Sequence, residues 1–204
     1  MTACMVAFLL GAVLWTLLEY VLHRFVFHAR SARGLGATEH RKHHAQVNYF
    51  APAWQKALAA LVATAILLPL LSSLVGLQSG SVFTLGFIGM YLLYEVLHRR
   101  AHTRPPRSRY GRWRRKNHFA HHFVDPRLAQ GVTTPFWDFV FATRLRVDRV
   151  RVPRRVAMPW LVDATGDILP EYVADYELVG SRKQDEHTRR RDTEAAMANK
   201  SPEL

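Results

Sequence analysis

Apolar residues in this chain fall in long runs rather than in alternation. Residues 3–22 carry a single charge, Glu19, and residues 57–77 carry none. Residues 82–94 are again uncharged, and the apolar pattern continues through Val96 and Leu97. A helix needs about 20 apolar residues to cross a bilayer core. The first two runs therefore predict membrane-spanning helices. The third predicts a shorter span, tilted or re-entrant beside the second, with a buried soluble helix as its alternative. Pro69 is expected to kink the second span. The first run has no basic segment ahead of it and passes through Glu19 into a histidine pair, so it is a membrane helix rather than a signal peptide.

Between these runs the pattern turns polar. Residues 31–36 have turn composition, and residues 39–44 predict a short polar helix that residues 48–52 break at Pro52. Trp54 and Lys56 are placed as interfacial anchors. Residues 131–143 are apolar and aromatic and predict a further helix packed on the polar layer. Residues 145–179 contain Pro153, Pro159, Gly166 and Pro170 and suit a small lid or peripheral helices. From residue 181 the chain is polar, charged and expected to be disordered. The expectation is an all-α protein of about three integral membrane helices capped by a cytoplasmic helical metal-binding layer. Residues 1–180 form one membrane-embedded domain and residues 181–204 a tail.

Charge orients this picture. A net charge of +12 would suit nucleic acid, anionic lipid or an acidic substrate. The membrane runs favour lipid and set nucleic acid aside. The link at residues 76–81 holds no Lys or Arg, while Arg24, Arg30, Arg33, Arg41, Lys42, Lys56, Arg99 and all later basic residues fall on the other side. The positive-inside rule places that side in the cytoplasm.

Ten of the 11 histidines lie in four clusters on that same side. They are His23 and His28; His40, His43 and His44; His98 and His102; and His118, His121 and His122. The spacings are HxxxxH, HxxHH, HxxxH and HxxHH. Residues three or four apart share a helix face, and neutral imidazole is a common ligand for iron, zinc, copper and nickel. The first pair, five apart, fits a helix that ends and frays. Ten imidazoles exceed one ion, so two ions with about five ligands each is the natural division. The order of a pair followed by HxxHH occurs twice and points to two similar halves. The clusters follow helix ends, whereas a transporter holds its ligands near the bilayer midplane. Cys4 has no cysteine partner, which disfavours a zinc finger. His187, in the tail, is not counted as a ligand.

Three carboxylates are candidates to orient these ligands by taking the second ring N–H. Glu19 stands four residues before His23, Glu95 stands three before His98, and Asp138 follows the last cluster. Arg107, Arg109, Arg112 and Arg114 lie in a tract that alternates basic and aromatic residues. That tract suits lipid headgroups and could draw a phosphate or carboxylate towards the site. A solvated positive loop is the plainer alternative.

Residues 19–143 resemble the fatty acid hydroxylase superfamily of membrane-bound diiron enzymes. HxxxxH as the first motif and HxxxH as the third are similar to fatty acid 2-hydroxylases rather than to sterol or carotenoid enzymes. The stretch from Tyr94 to His98 resembles that family's approach to its third motif, with Glu95 where Asp is common. Gly131 to Thr134, Trp137 with Asp138, and Phe141 to Thr143 resemble its block after the last motif. The resemblance implies two metal ions, iron natively with zinc possible in purified protein, and O2. It implies hydroxylation of a lipid C–H bond, most simply C2 of a fatty acyl or sphingolipid chain that enters from the bilayer. No catalytic residue beyond the metal ligands is assigned. These 204 residues hold no flavin, NAD or cytochrome b5 motif, so a separate electron donor is expected: a cytochrome b5-like protein, a ferredoxin or a reductase. A sterol or carotenoid hydroxylase or desaturase is the alternative with the same site, and a non-enzymatic membrane metal-binding protein the more distant one. An Arg- and Ala-rich composition without a b5 domain favours a bacterial inner membrane over the endoplasmic reticulum.

Overall fold

The computed structural model describes residues 2–29 and 33–180. The expected disordered tail and His187 lie outside the described residues. In chain order the elements are α1 (Thr2–Val21), which continues as a π-helical turn at Leu22–Phe27, then α2 (Leu35–Ala45), α3 (Ala53–Val75), α4 (Leu77–Thr103), α5 (Arg109–Phe123), α6 (Phe136–Val140), β1 (Val150–Pro153) and β2 (Tyr176–Val179).

Among the described residues, three helical segments are long and apolar enough to cross a membrane: Thr2–Phe27, Ala53–Val75 and Leu77–Thr103. The third is a full span of 27 residues, longer than the uncharged run predicts. Its added turns carry Glu95, His98 and His102, whose polar groups are used inside the fold rather than against lipid. Pro69 does not break the second, which runs helical across it. No residue of α3 is buried, as expected of a helix that meets lipid over most of its surface.

The closest helix contact is between α1 and α4, and glycine makes it possible. A Cβ on Gly86 would stand 2.1 Å from the Phe8 carbonyl oxygen, and one on Gly11 would stand 2.1 Å from that of Phe83. With no hydrophobic force between helices in lipid, close backbone approach is a main source of packing. Trp15 of α1 then fits between Phe87 and Tyr91 of α4, with ring centroids 5.4 and 4.7 Å away. Gly76, at φ +83°, alone joins α3 to α4.

The segment after α6 departs from a purely helical lid. β1 and β2 pair in parallel, Val150 opposite Tyr176 through Pro153 opposite Val179. Val150 and Val152 are buried while Arg151 between them is exposed, the period-2 alternation of a half-buried strand. Their side chains join Met158, Trp160, Leu161, Tyr172 and Tyr176 in a core packed on Phe119 and Ala120 of α5. Trp160 Nε1 donates to the Ala101 carbonyl at 3.0 Å, which ties this core to α4.

The helix expected over residues 131–143 is present only as α6. Residues 130–133 instead give their backbone N–H groups to two buried carboxylates, Glu19 and Asp138. An N–H committed to a carboxylate cannot also close a helical turn.

Candidate metal centre

The ten clustered histidines come together in two groups of five. His23, His28, His40, His44 and His121 form one, and His43, His98, His102, His118 and His122 the other. Within each group, one ring nitrogen per residue lies within 4.8 Å of all the others. Each HxxHH cluster is divided between them. His40 and His44, four apart, point one way and His43 the other; His118 and His122 pair likewise, with His121 opposite. Adjacent residues on a helix differ by about 100°, so each HH doublet faces two centres at once.

The HxxxxH pair is brought together by the π-helical turn rather than by fraying. His28 N donates to the His23 carbonyl at 3.1 Å, the i→i+5 bond that defines this turn and places residues five apart over one another.

Backbone contacts set the tautomers. The Nδ1 atoms of His23, His43 and His121 face the carbonyls of Gln130, Tyr49 and Leu128 at 2.5, 2.7 and 2.8 Å. A carbonyl only accepts, so each Nδ1 carries the proton and each Nε2 presents a lone pair. Within each group the Nε2 atoms converge. In the first group Nε2 of His23 is 3.1 Å from that of His40, His40 is 2.8 Å from His28, His28 is 3.0 Å from His121, and His121 is 3.2 Å from His44. In the second, Nε2 of His118 lies 2.8 Å from that of His102 and 3.1 Å from that of His122. The buried Nε2 atoms of His43 and His98 have no hydrogen-bond partner. Acceptors aimed at one point repel unless a cation lies between them. An all-imidazole donor set suits iron, zinc, copper or nickel and not magnesium or calcium.

Burial keeps these rings neutral. It pushes His28 and His43 down to about 4, against an ordinary value of 6.5. Burial first, then the neighbouring imidazoles, holds His40, His118, His121 and His122 well below that value. The sign for stability follows. The unfolded chain takes up protons near pH 6.5, while the folded metal-free chain resists them. Stability present above pH 6.5 is therefore lost as the pH falls towards 4. Chelated protein in detergent should show a melting temperature that declines across this window; a flat profile from pH 7 to 4 contradicts the arrangement.

The carboxylates act otherwise than their spacing predicts. Glu19 does not take the His23 ring. It accepts from the N–H groups of Val132 and Thr133 at 2.6 and 2.8 Å and from the Thr133 hydroxyl. Asp138 accepts from the N–H groups of Gln130 and Gly131 at 2.7 and 2.8 Å and from the Thr143 hydroxyl at 2.8 Å. The two hold one loop, and the Gln130 carbonyl of that loop meets His23. Glu95 turns from His98 to pair with Lys56 of α3, because at membrane depth an ammonium is a stronger partner for a carboxylate than a neutral imidazole.

The basic tract is divided between buried and exposed positions. Arg114 is buried and donates to the carbonyls of Leu97 and Val132 at 3.0 and 3.3 Å. Arg112 pairs with Asp175. Arg107 and Arg109 are exposed and line no part of the cavity below the histidines. Arg115, not singled out from the sequence, donates to the carbonyls of Arg100 and Arg104 at 3.0 and 3.1 Å. The general preference of a helix C-terminus for a cation was the available signal.

A cavity of about 330 Å³ lies among α1, α3 and α4. Trp15, Leu18, Ala60, Ala63 and Phe87 form apolar wall, and His23, His40, His43 and His98 stand at one end. Histidines of both groups thus face it. Gln55, Lys56 and Glu95 supply polar wall.

Comparison with known proteins gives a concordant result. The sequence profile described as fatty acid hydroxylase matches residues 8–143. The fatty acid 2-hydroxylase of Macaca fascicularis is 33% identical over 144 residues, which is 67% of this chain and 38% of that protein. The dihydroceramide fatty acyl 2-hydroxylase FAH1 of Arabidopsis thaliana is 31% identical over 151 residues, 72% of this chain and 62% of that protein. A solved structure of full-length scs7p, in which only the hydroxylase domain is visible, superposes with a TM-score of 0.55 at 28% identity, over 71% of this chain and 57% of that one. The chain spans less than two thirds of the length of each of these proteins.

Proposed function

The chain belongs to the fatty acid hydroxylase family, and from that premise we propose that it hydroxylates C2 of a fatty acyl or sphingolipid chain with O2. The observation that carries this reading is the apolar cavity inside the membrane helices, closed at one end by histidines of both groups. An acyl chain fits such a cavity and reaches it from the bilayer. The ten histidines would hold two irons, which supply O2 activation and oxidation of an unactivated C–H bond.

The chain's own residues position and protect. Trp15, Leu18, Ala60, Ala63 and Phe87 hold the hydrocarbon and exclude water. Lys56 and Gln55 take the carbonyl end in place of the basic tract, which sets C2 rather than a mid-chain carbon beside the histidines. Glu19 and Asp138, through the Gln130 carbonyl, keep the His23 proton on Nδ1. The overall change is C–H to C–OH; the second oxygen atom leaves as water with two protons and two electrons. A separate donor of the cytochrome b5, ferredoxin or reductase class supplies those electrons. The positive-inside pattern favours the cytoplasmic face for the histidine groups.

The test is product analysis. Iron-loaded protein in lipid nanodiscs, given a reductase system, 18O2 and acyl lipids, should yield 2-hydroxyacyl product bearing one 18O. Oxidised sterol or carotenoid without acyl product would replace the substrate assignment, and no oxidised lipid of any class would overturn the reading. Lys56→Met, with Glu95→Gln to avoid an orphaned carboxylate, removes a charged hydrogen bond worth about 1.5–3 kcal/mol. The expected loss is about ten- to a hundredfold in kcat/KM, with hydroxyl spread beyond C2. Retained C2 specificity would remove Lys56 from this role.

A further inference from the structure

Helix α6 and the residue after it present an apolar face that nothing else among the described residues covers. Phe136, Phe139, Val140 and Phe141 are each 45–68% exposed, while Asp138 of the same turn is 1% exposed. This face is fastened to a membrane span. Trp137 Nε1 donates to Thr16 Oγ1 of α1 at 3.0 Å, and the Phe141 ring stacks on Tyr20 with centroids 5.1 Å apart. Thr16 precedes His23 by seven residues, about 10 Å further into the span at 1.5 Å per residue. An element bonded at that depth lies beside lipid, not above it.

Its surroundings carry the marks of the headgroup level. Tyr110 and Trp113 of α5 are exposed, with ring centroids 5.8 Å apart, and the Tyr110 hydroxyl donates to the Thr133 carbonyl at 3.1 Å. The Arg144 guanidinium sits 5.8 Å from the Phe139 ring centre. Aromatic rings beside a long cationic side chain are the usual composition of a membrane–water boundary. The patch also continues the exposed apolar surface of α1, which includes Val13.

We propose that α6 is seated in the bilayer. Phe136, Phe139, Val140 and Phe141 enter the acyl region of the leaflet nearest the histidines, and Arg144 reaches a lipid phosphate. The occupant of this face is lipid rather than a partner protein, since the face is continuous with a span whose own surface meets lipid. Seating has a consequence for the first histidine group. On the inner side of the same turn, Asp138 holds the N–H groups of Gln130 and Gly131, and the Gln130 carbonyl holds His23 Nδ1. Lipid sets the depth of α6, and these bonds pass that position on to His23.

Spin labelling tests the proposal without reference to turnover. In a Cys4→Ser background, a nitroxide is attached at Phe139→Cys or, for comparison, at Val173→Cys, which lies exposed beside the sheet. The protein is placed in nanodiscs of phosphatidylcholine and phosphatidylglycerol. Position 139 should be relaxed by O2 and shielded from a water-soluble nickel chelate, and position 173 should show the reverse. Nickel access at 139 equal to that at 173 overturns the proposal, and so does shielding of 139 from both reagents, which would mean that protein covers the face. The link to His23 has its own readout. Phe139→Glu should speed release of about half of the bound metal to a chelator on the order of tenfold, the scale of an outer-contact loss. Unchanged release overturns the link.

Discussion

His121→Ala is expected to lower metal content from about two ions per chain to about one and to abolish turnover. His121 belongs to the five-histidine group that also holds His23, His28, His40 and His44. It is fully buried, its Nδ1 is committed to the Leu128 carbonyl at 2.8 Å, and its Nε2 faces those of His28 and His44 at 3.0 and 3.2 Å. Removing it opens the group on the α5 side and leaves four nitrogens in place of five, which weakens the hold on an ion. The second group contains no atom of His121 and should keep its metal. Loss of the several kcal/mol that a bound ion supplies to the reaction corresponds to on the order of 10³-fold or more in rate. The measurements are metal analysis and product formation on detergent-purified protein, beside a melting curve showing that the variant is folded. Two ions and unchanged turnover in folded His121→Ala would sink the two-group assignment. Loss of both ions would show that the groups load as one unit.

Gly86→Leu is expected to be among the most damaging changes outside the histidines. The first atom of any side chain at this position would stand 2.1 Å from the Phe8 carbonyl oxygen and 2.9 Å from its carbon. Those are backbone atoms and cannot rotate away. The helices must separate, and the cost should reach or exceed the ~3 kcal/mol upper end for overpacking. Separation acts on the site directly. α1 leads into His23 and His28, while α4 carries His98 and His102, and the cavity lies between them. We expect a large fall in folded yield and in thermal stability, with metal content reduced in whatever folds. Gly89→Leu on the same helix is the control, since a Cβ there meets nothing within 4 Å. Equal stability of the two variants would contradict the close crossing.

The lengths of the apolar runs and the spacings of the histidines were legible in the sequence because both are local. A bilayer imposes a minimum length that a run either meets or does not, and a helix repeats every few residues whatever surrounds it. Three helices of membrane length, a short helix at residues 39–44 and the gathering of all ten histidines on one side of the spans follow from those two facts. The division of the ten does not. His43 leaves His40 and His44 because α2 is inserted between two centres, which requires α1, α4 and α5 to be in place around it. The five-residue step from His23 to His28 becomes a single face only through a π-helical turn, a choice made where α1 meets the neighbouring rings rather than by its own residues.

The carboxylates mark the same boundary. Glu19 and Glu95 each stand one helical turn from a histidine, and by spacing alone each should bind it. Tertiary structure offered both a better partner. Glu95 meets the Lys56 ammonium, brought across by the hairpin at Gly76. Glu19 meets two N–H groups and a hydroxyl 113 and 114 residues away in sequence. The basic tract reads as a lipid clamp in one dimension; in three, Arg114 donates to the carbonyls of Leu97 and Val132, and its neighbour Arg115 to those of Arg100 and Arg104. Residues 131–143 carry the composition of a helix, yet Gly131 gives its N–H to Asp138 and Val132 and Thr133 give theirs to Glu19, far away in the chain. Which residues leave water and which imidazoles share a helix face are properties of side chains and of local repeat, and so were readable along the chain. Which partner each buried polar group found was decided only by the assembled fold, because in a low-dielectric interior every such group takes the strongest partner within reach, and reach is set by the packing of elements far apart in the chain.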